Sequence, residues 1–374
     1  MFRERTKNNN DSNNIAEQAH IHVWTASSWK NYHQAAGVIM RLIAGDIGGT
    51  TTRLLFAEKN AAGRIILAEK HYPSAQYSNF LEILELFLSE HDIDVPVDAA
   101  CFAIAGPVES AAVSVTNLPW VIRQVHLSEL LQTPDVALIN DFVAIAYGIP
   151  GLDESDFLLL QKGLVAEQKA INPDAAVVGA GTGLGVAHLV WQKNHYKPYS
   201  SEAGHVGFAP ENALQTELLS WMQQKHEHVS LEWLLSGKGL VTIYHFLHEV
   251  TGLQESPGIC EAMQDTDPAQ VISEFANRQN DELCQRTLEM FIDIYGAAAG
   301  NAALHYYPIG VLYIAGGIAA KIKDSMVDGR FTAAFNNKGA MSSVMQKITI
   351  KLISQDKVGL YGALSCAEKL QIAS

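Results

Sequence analysis

The chain has 374 residues, 48% of them hydrophobic and 18% charged, which is ordinary globular composition with room for two full cores. Its 26 Lys and Arg against 40 Asp and Glu give a net charge of −14, with no basic run, and this argues against a nucleic-acid binder. Four cysteines at 101, 260, 284 and 366 are too scattered for a zinc site of the usual spacing or a disulfide framework.

Residues 1–39 stand apart as a loose extension. "RERTKNNNDSNN" is polar and Asn-rich, and "HIHVWTASSWKNYHQ" holds no sustained period. No apolar signal segment stands at the start. The most apolar long stretches, 175–191 and 295–320, are broken by Gly, Asn, His or Pro, so they read as core rather than membrane spans. The expected location is the cytoplasm.

The first structured segment is "RLIAGDIGGTTTRLLFAE", residues 41–58. Its apolar, β-branched flanks predict two strands joined by a tight turn. The glycines do not follow G-x-G-x-x-G, and no helix follows them, so this is not a dinucleotide fingerprint; nor is it a Walker loop. A hairpin tip can still offer backbone N–H groups to an anion. Asp46 would repel a phosphate unless a cation such as Mg²⁺ lay between them. The plain alternative is a turn that uses glycine for its conformational freedom.

"GRIILAEKHYP" predicts a further strand. "SNFLEILELFLSEH" predicts a helix, from apolar residues at 80, 81, 83, 84, 87 and 88. "DAACFAIAGPV" and "VALIND" read as buried strands, and the helix "FVAIAYGI" follows Asp141. At Asp174 the opening theme returns: "DAAVVGAGTGLGVAHLVWQ" is again apolar strand, glycine-rich turn, apolar strand. Two such units predict a duplicated α/β architecture with one glycine turn from each half facing a cleft that could take a triphosphate. The alternative is coincidence between two common turns.

Taken in order, "AGDIGGTTTRL", "AIAGPV", "TNLPW", "INDFVAIA", "GAGTGLGVAHL", "SEAGHVGFAP", "LSGKGL" and "IAGGIA" resemble the bacterial glucokinases of the hexokinase/actin-like ATPase superfamily, over roughly residues 41–370. The zinc-containing sugar-kinase and repressor group is set aside, because its cysteine cluster is missing from the sequence. The resemblance implies two duplicated ribonuclease-H-like domains with the active site in the cleft between them. A small domain would span 40–150, completed by about 351–374, and a large one 151–350. It implies ATP-dependent, Mg²⁺-assisted phosphorylation of glucose at the 6-hydroxyl. Phosphates would be held by Gly45, Asp46, Ile47, Gly48, Gly49 and Thr50 and by Gly181, Thr182 and Gly183, with Gly316 and Gly317 near the adenosine. Asp46 would reach Mg²⁺ indirectly, through water. Asp141 would be the catalytic base, and Asn117, Asn140, Glu202, His205 and Glu232 the sugar ligands. A homodimer is the assembly considered; nucleic acid and membrane are not expected partners.

The chemistry of these residue types agrees with such roles. Phosphoryl transfer needs positioning, charge neutralisation and a proton acceptor for the attacking hydroxyl. Asp141, at a strand end and a helix start, is placed to stay ionised and accept that proton; the alternative is a helix cap. Glu202 and His205 suit vicinal hydroxyls, although His205 alone could be a buried structural histidine. Glu232 lies in an apolar, helical-looking stretch and needs a partner, either a sugar hydroxyl or a salt bridge. Asn117 offers an amide that both donates and accepts. His188 reads as core. "LLSGKGL" lacks the first Gly and the Ser/Thr of a Walker motif. The chain departs from the commoner family pattern at Thr51-Thr52, Gly207 and Lys238, none of them a proposed ligand. Readings other than glucose kinase are a kinase for mannose, fructose or an aminosugar, a sugar-sensing regulator, and an actin-like or chaperone ATPase.

Overall fold

The computed structural model describes residues 39–106, 108, 111–115, 117–163, 174–192, 195–277 and 281–373. The expected extension therefore lies outside the described residues, apart from its last one, and so does Pro107 at the end of "AIAGPV". Two sheets organise the chain. The first has the order β3-β2-β1-β4-β7, from β1 (Met40–Ile47), β2 (Thr51–Asn60), β3 (Gly63–Pro73), β4 (Ala99–Ile104) and β7 (Val136–Asn140). The second has the order β11-β10-β9-β12-β13-β8, from β8 (Phe157–Gln161), β9 (Ala175–Ala180), β10 (Leu184–Gln192), β11 (His195–Ser201), β12 (Val311–Ala315) and β13 (Thr349–Ile353). A short ribbon, β5 (Ala112–Ser114) with β6 (Val121–Arg123), completes the strands.

The sheets share a plan. Each opens with an antiparallel meander whose first strand, β1 or β9, then takes a parallel neighbour, β4 or β12. The second parallel neighbours are β7 and β13, and β8 adds an antiparallel edge beside β13. The central strands read accordingly: "AACFAI" of β4 and "AAVVGA" of β9 are buried at every position, as strands covered on both faces must be.

The outer face of the first sheet is covered by α1 (Phe80–Glu90) and α2 (Gln124–Leu131). Asn79 caps α1, its side chain accepting the Glu82 N–H at 3.1 Å, while Phe80, Ile83, Leu84 and Phe87 form the buried stripe. Fully burying such side chains contributes about 1.5–3 kcal/mol each. The second sheet carries the larger helical layer, which includes α4 (Ala213–Gln223), α5 (Gly237–Thr251), α6 (Ile259–Asp265), α7 (Pro268–Asn277) and the long α8 (Glu282–His305).

Two helices lie between the sheets. α3 (Asp141–Gly148) puts Ala144 into the core formed by Leu42, Ala44 and Leu55 of the first sheet, and Ala146 into the core formed by Ala175, Val177, Ala187 and Leu189 of the second. The helix Val358–Ala373, last in the chain, returns from β13 to lie on the first sheet through Leu360, Leu364 and Ala367. Glycine lets it approach α3 closely: a Cβ on Gly362 would strike the Ala144 carbonyl, and one on Gly148 the Val358 carbonyl. Among the described residues, no helix is long and apolar enough to cross a membrane.

Candidate active site

The first glycine turn joins β1 to β2. Its Gly48 N–H donates to the Thr51 carbonyl at 3.0 Å, and Ser74, fully buried, braces it from behind. The Ser74 hydroxyl donates to the Gly48 carbonyl at 2.9 Å, and its backbone N–H donates to the Thr50 carbonyl at 2.9 Å. Gly45 lies flush against the ring of Phe102, which a Cβ there would approach to 2.6 Å. Asp46, on β1, faces Arg53 across the ladder. Burial raises its carboxyl above the usual range, and the Arg53 guanidinium pulls it back down. That guanidinium is itself shared with Asp356, at 2.7 Å to the carbonyl and 3.3 Å to the carboxylate.

The second turn joins β9 to β10. The Gly181 N–H donates to the Gly183 carbonyl at 2.8 Å, and the Gly181 carbonyl accepts the Gly237 N–H at 3.0 Å. The "LLSGKGL" segment is thus the start of α5, capped by Ser236 and docked onto this turn. Gly316, at φ +88°, follows β12 and presses against β9: a Cβ there would come within 2.9 Å of the Ala180 carbonyl carbon. The buried Tyr295 hydroxyl joins the two strands. It accepts the Ala180 N–H at 3.1 Å and lies 3.3 Å from the Val178 and 3.4 Å from the Ala315 carbonyl.

Asp141 lies at the start of α3, between these hairpins. It is not the cap that one reading of the sequence allowed. Asn140 is the cap, its Oδ1 accepting the N–H groups of Phe142 at 2.9 Å and Val143 at 3.4 Å. The Asn140 Nδ2 donates one of its two amide protons to the Gly106 carbonyl at 3.1 Å. Asp141 enters the first turn, its Oδ1 accepting the Phe142 N–H at 3.1 Å. Burial first, then the negative charge of Asp46, push its carboxyl up to about 7, against the lowering effect of the surrounding N–H groups. Two carboxyls raised by burial, Asp141 further by the charge of Asp46, call for a counter-charge next to such a turn.

The remaining expected residues divide into three groups. Glu232 lies in a single 3₁₀ turn, Leu231–Trp233, rather than in a helix. One of its carboxylate oxygens is bonded to the backbone: Oε2 accepts the Leu184 N–H at 3.0 Å. Glu202 precedes the turn Ala203–His205, which His205 ends. Both are exposed, with 3.9 Å between the carboxylate and the ring, so His205 is not a buried structural histidine. The His205 backbone carbonyl is bonded by the His228 ring at 3.0 Å. Asn117 is exposed at φ +63°, in the loop before the buried Trp120. His188 is only half-buried and stacks on Tyr306 at 4.8 Å, so it is not a plain core residue. Sequence reasoning passes over Ser74, Phe142 and Tyr295. For Tyr295 the available signal is a phenol inside a long apolar helix, where its hydroxyl has to find a partner.

Phosphoryl transfer needs anion cradles and a proton acceptor, and two glycine hairpins with a helix that starts at a carboxylate offer groups of those kinds. The glucokinase family model matches residues 43–370, and the chain belongs to that family. It is similar to the glucokinase of a Nostoc species, 40% identical over 343 residues, covering 88% of this chain and 99% of the relative. Among solved structures, the glucokinase of an Antarctic psychrotroph superposes with a TM-score of 0.73 at 32% identity, covering 89% of this chain and all of the other. A glucokinase of the ROK family from Streptomyces griseus, determined with glucose and AMPPNP, shares the fold with a TM-score of 0.57 at 18% identity, covering 88% of this chain and 99% of the other.

Proposed function

We propose that this protein is a glucokinase that transfers the terminal phosphoryl group of ATP to the 6-hydroxyl of glucose. The observation that carries the reading is the place of Asp141: at a helix start, between two glycine hairpins, with its carboxyl titrating near 7. A base with that proton affinity accepts the hydroxyl proton as the O–P bond forms, and is released from it by solvent afterwards. The glycines of Gly45–Thr50 and Gly181–Gly183 cradle the phosphates, and Gly316 and Gly317 line the adenosine. Asn117, Asn140, Glu202, His205 and Glu232 hold the sugar hydroxyls. The shared strand plan of the two sheets supports reading them as duplicated ribonuclease-H-like domains, 40–150 with the returning C-terminal helix and 151–350.

The raised carboxyls of Asp46 and Asp141 fit a divalent cation. Among the described residues, no group of three or more His, Cys, Asp or Glu side chains could hold a metal on its own, so water and nucleotide oxygens would complete its shell. Asp46, through water, is the residue that would hold Mg²⁺, which supplies charge neutralisation at the phosphates. The test is an ADP-release assay across glucose, mannose, fructose and aminosugars, with and without Mg²⁺. Turnover that depends on glucose and Mg²⁺ is expected. Preference for another hexose would move the assignment to that sugar, and sugar-independent turnover would refute it. Light scattering on the purified protein tests the homodimer.

A further inference from the structure

The residue after Asp141 is Phe142, and its ring rests on the second sheet. It meets Gly179 on β9 and Gly185 on β10, which are direct partners across that hairpin. A Cβ on Gly179 would come within 2.8 Å of ring atoms Cε1 and Cζ, and one on Gly185 would overlap the ring edge. Only a glycine pair leaves this face flat enough for the ring. Glycine inside a strand costs about 0.5–1 kcal/mol relative to alanine, so two facing each other are a local weakness that the ring covers. The pair also has a particular location. Gly179 precedes Ala180, the last residue of β9, and Gly185 follows Leu184, the first of β10, so the ring lies at the base of the Gly181–Gly183 turn. On its other side the same residue is fixed by its N–H, which donates to Asn140 Oδ1 and Asp141 Oδ1.

We propose that Phe142 is the positioning residue that sets the Asp141 carboxyl against the phosphate turn, by seating its ring on the Gly179–Gly185 pair. This rests on the reading of Asp141 as the base. The Phe142 ring is taken up by the glycine pair and the second sheet, so it acts by fixing how far Asp141 stands from the phosphoryl group that the turn holds. A displacement of about 1 Å at such a site costs on the order of 10²-fold in rate. Ground-state glucose binding, made by other residues, is spared.

The experiment measures kcat and glucose dissociation for Phe142→Leu, Gly185→Ala, their combination, Asp141→Asn, and Asp141→Asn with Phe142→Leu. Phe142→Leu is expected to lose about 10–100-fold in kcat while the glucose Kd stays within about threefold. In the Asp141→Asn background the same change should cost less than about threefold, because a residue that acts through Asp141 has nothing left to position. Gly185→Ala, which drives a methyl into the ring, should lose kcat similarly. Combining it with Phe142→Leu, whose smaller side chain makes room for that methyl, should recover at least about fivefold. A Phe142→Leu enzyme within threefold of wild type, while Asp141→Asn is nearly inactive, overturns the proposal and leaves the base reading standing. Equal kcat losses from Phe142→Leu in both backgrounds overturn it as well, since they mark a merely structural role. Should Phe142→Leu fail to fold, an unchanged kcat in Gly185→Ala overturns it and a reduced one supports it. An active Asp141→Asn removes the base reading and this inference with it.

Discussion

The carboxylate of Glu232 and the backbone N–H of Leu184 meet at 3.0 Å, so a residue expected at the sugar is bonded to the strand that leaves the phosphate turn. The approach is close enough that a Cβ on Gly183 would lie 3.1 Å from the Glu232 carboxyl carbon and closer still to Oε2. Glu232 and the Gly181–Gly183 turn therefore cannot move independently at this point.

Gly183→Ala should consequently behave as a sugar-binding variant, although it alters a phosphate turn. The new methyl displaces Glu232 and loses its charge-assisted hydrogen bond, worth about 1.5–3 kcal/mol. The glucose KM is expected to rise at least about tenfold, the equivalent of about 1.4 kcal/mol. Steady-state kinetics at saturating ATP measure it. An unchanged glucose KM with only ATP affected would separate Glu232 from the sugar.

Tyr295→Phe removes one oxygen that serves β9 and β12 together. The Ala180 N–H would lose its acceptor inside a fully buried site. Leaving such a group unpaired costs about 1–3 kcal/mol. A lower urea midpoint with an unchanged slope is expected, and kcat should change little because the phenol is fully buried. A midpoint equal to wild type would mean that the hydroxyl contributes nothing net.

The glycine turns belong to different sheets, and α3 and the C-terminal helix lie between those sheets. An enzyme handling ATP beside water gains from closing over its substrates. Glucose should therefore lower the radius of gyration measured by small-angle scattering. An unchanged radius at saturating glucose would count against closure.

The hairpins are legible in the sequence because apolar alternation and glycine turns are local signals. The order of the sheets is not local: β4 and β12 join their sheets through long connections whose pairing no short window contains. Asn140 and Asp141 show why neighbouring polar residues mislead. Either can cap a helix, and the choice falls to Asn140 because its Oδ1 reaches both Phe142 and Val143. Phe142 looks like any apolar residue of a short helix until Gly179 and Gly185 are brought beneath it. Glu232 does need a partner, but side-chain reasoning looks for a side chain or a sugar, and the fold supplies a backbone N–H.

Asp141→Asn is the variant that separates chemistry from stability. As the base, Asp141 must be ionised, so in wild type kcat/KM should rise with pH through about 7 and level off above it. The asparagine variant keeps the shape but cannot take the proton, and should lose on the order of 10²–10⁴ in kcat with glucose affinity nearly kept. Stability should run the other way. The folded carboxyl holds its proton up to about 7, whereas its ordinary value is 3.8. Below 3.8 both folded and unfolded chains are protonated there, and this group adds no pH dependence. Between 3.8 and about 7 the folded chain keeps a proton the unfolded chain has released, so wild-type stability falls as pH rises, and above about 7 the loss is complete. Asparagine has no charge to bury and escapes this loss. The variant should therefore melt above wild type at pH 8, by a margin that shrinks as pH is lowered toward 4, while being nearly inactive throughout. Melting curves and kcat at pH 5 and pH 8 on both proteins measure it. A variant within threefold of wild-type kcat would show that Asp141 is not the base, and one melting below wild type at pH 8 would show that its carboxyl is not held under strain by its surroundings.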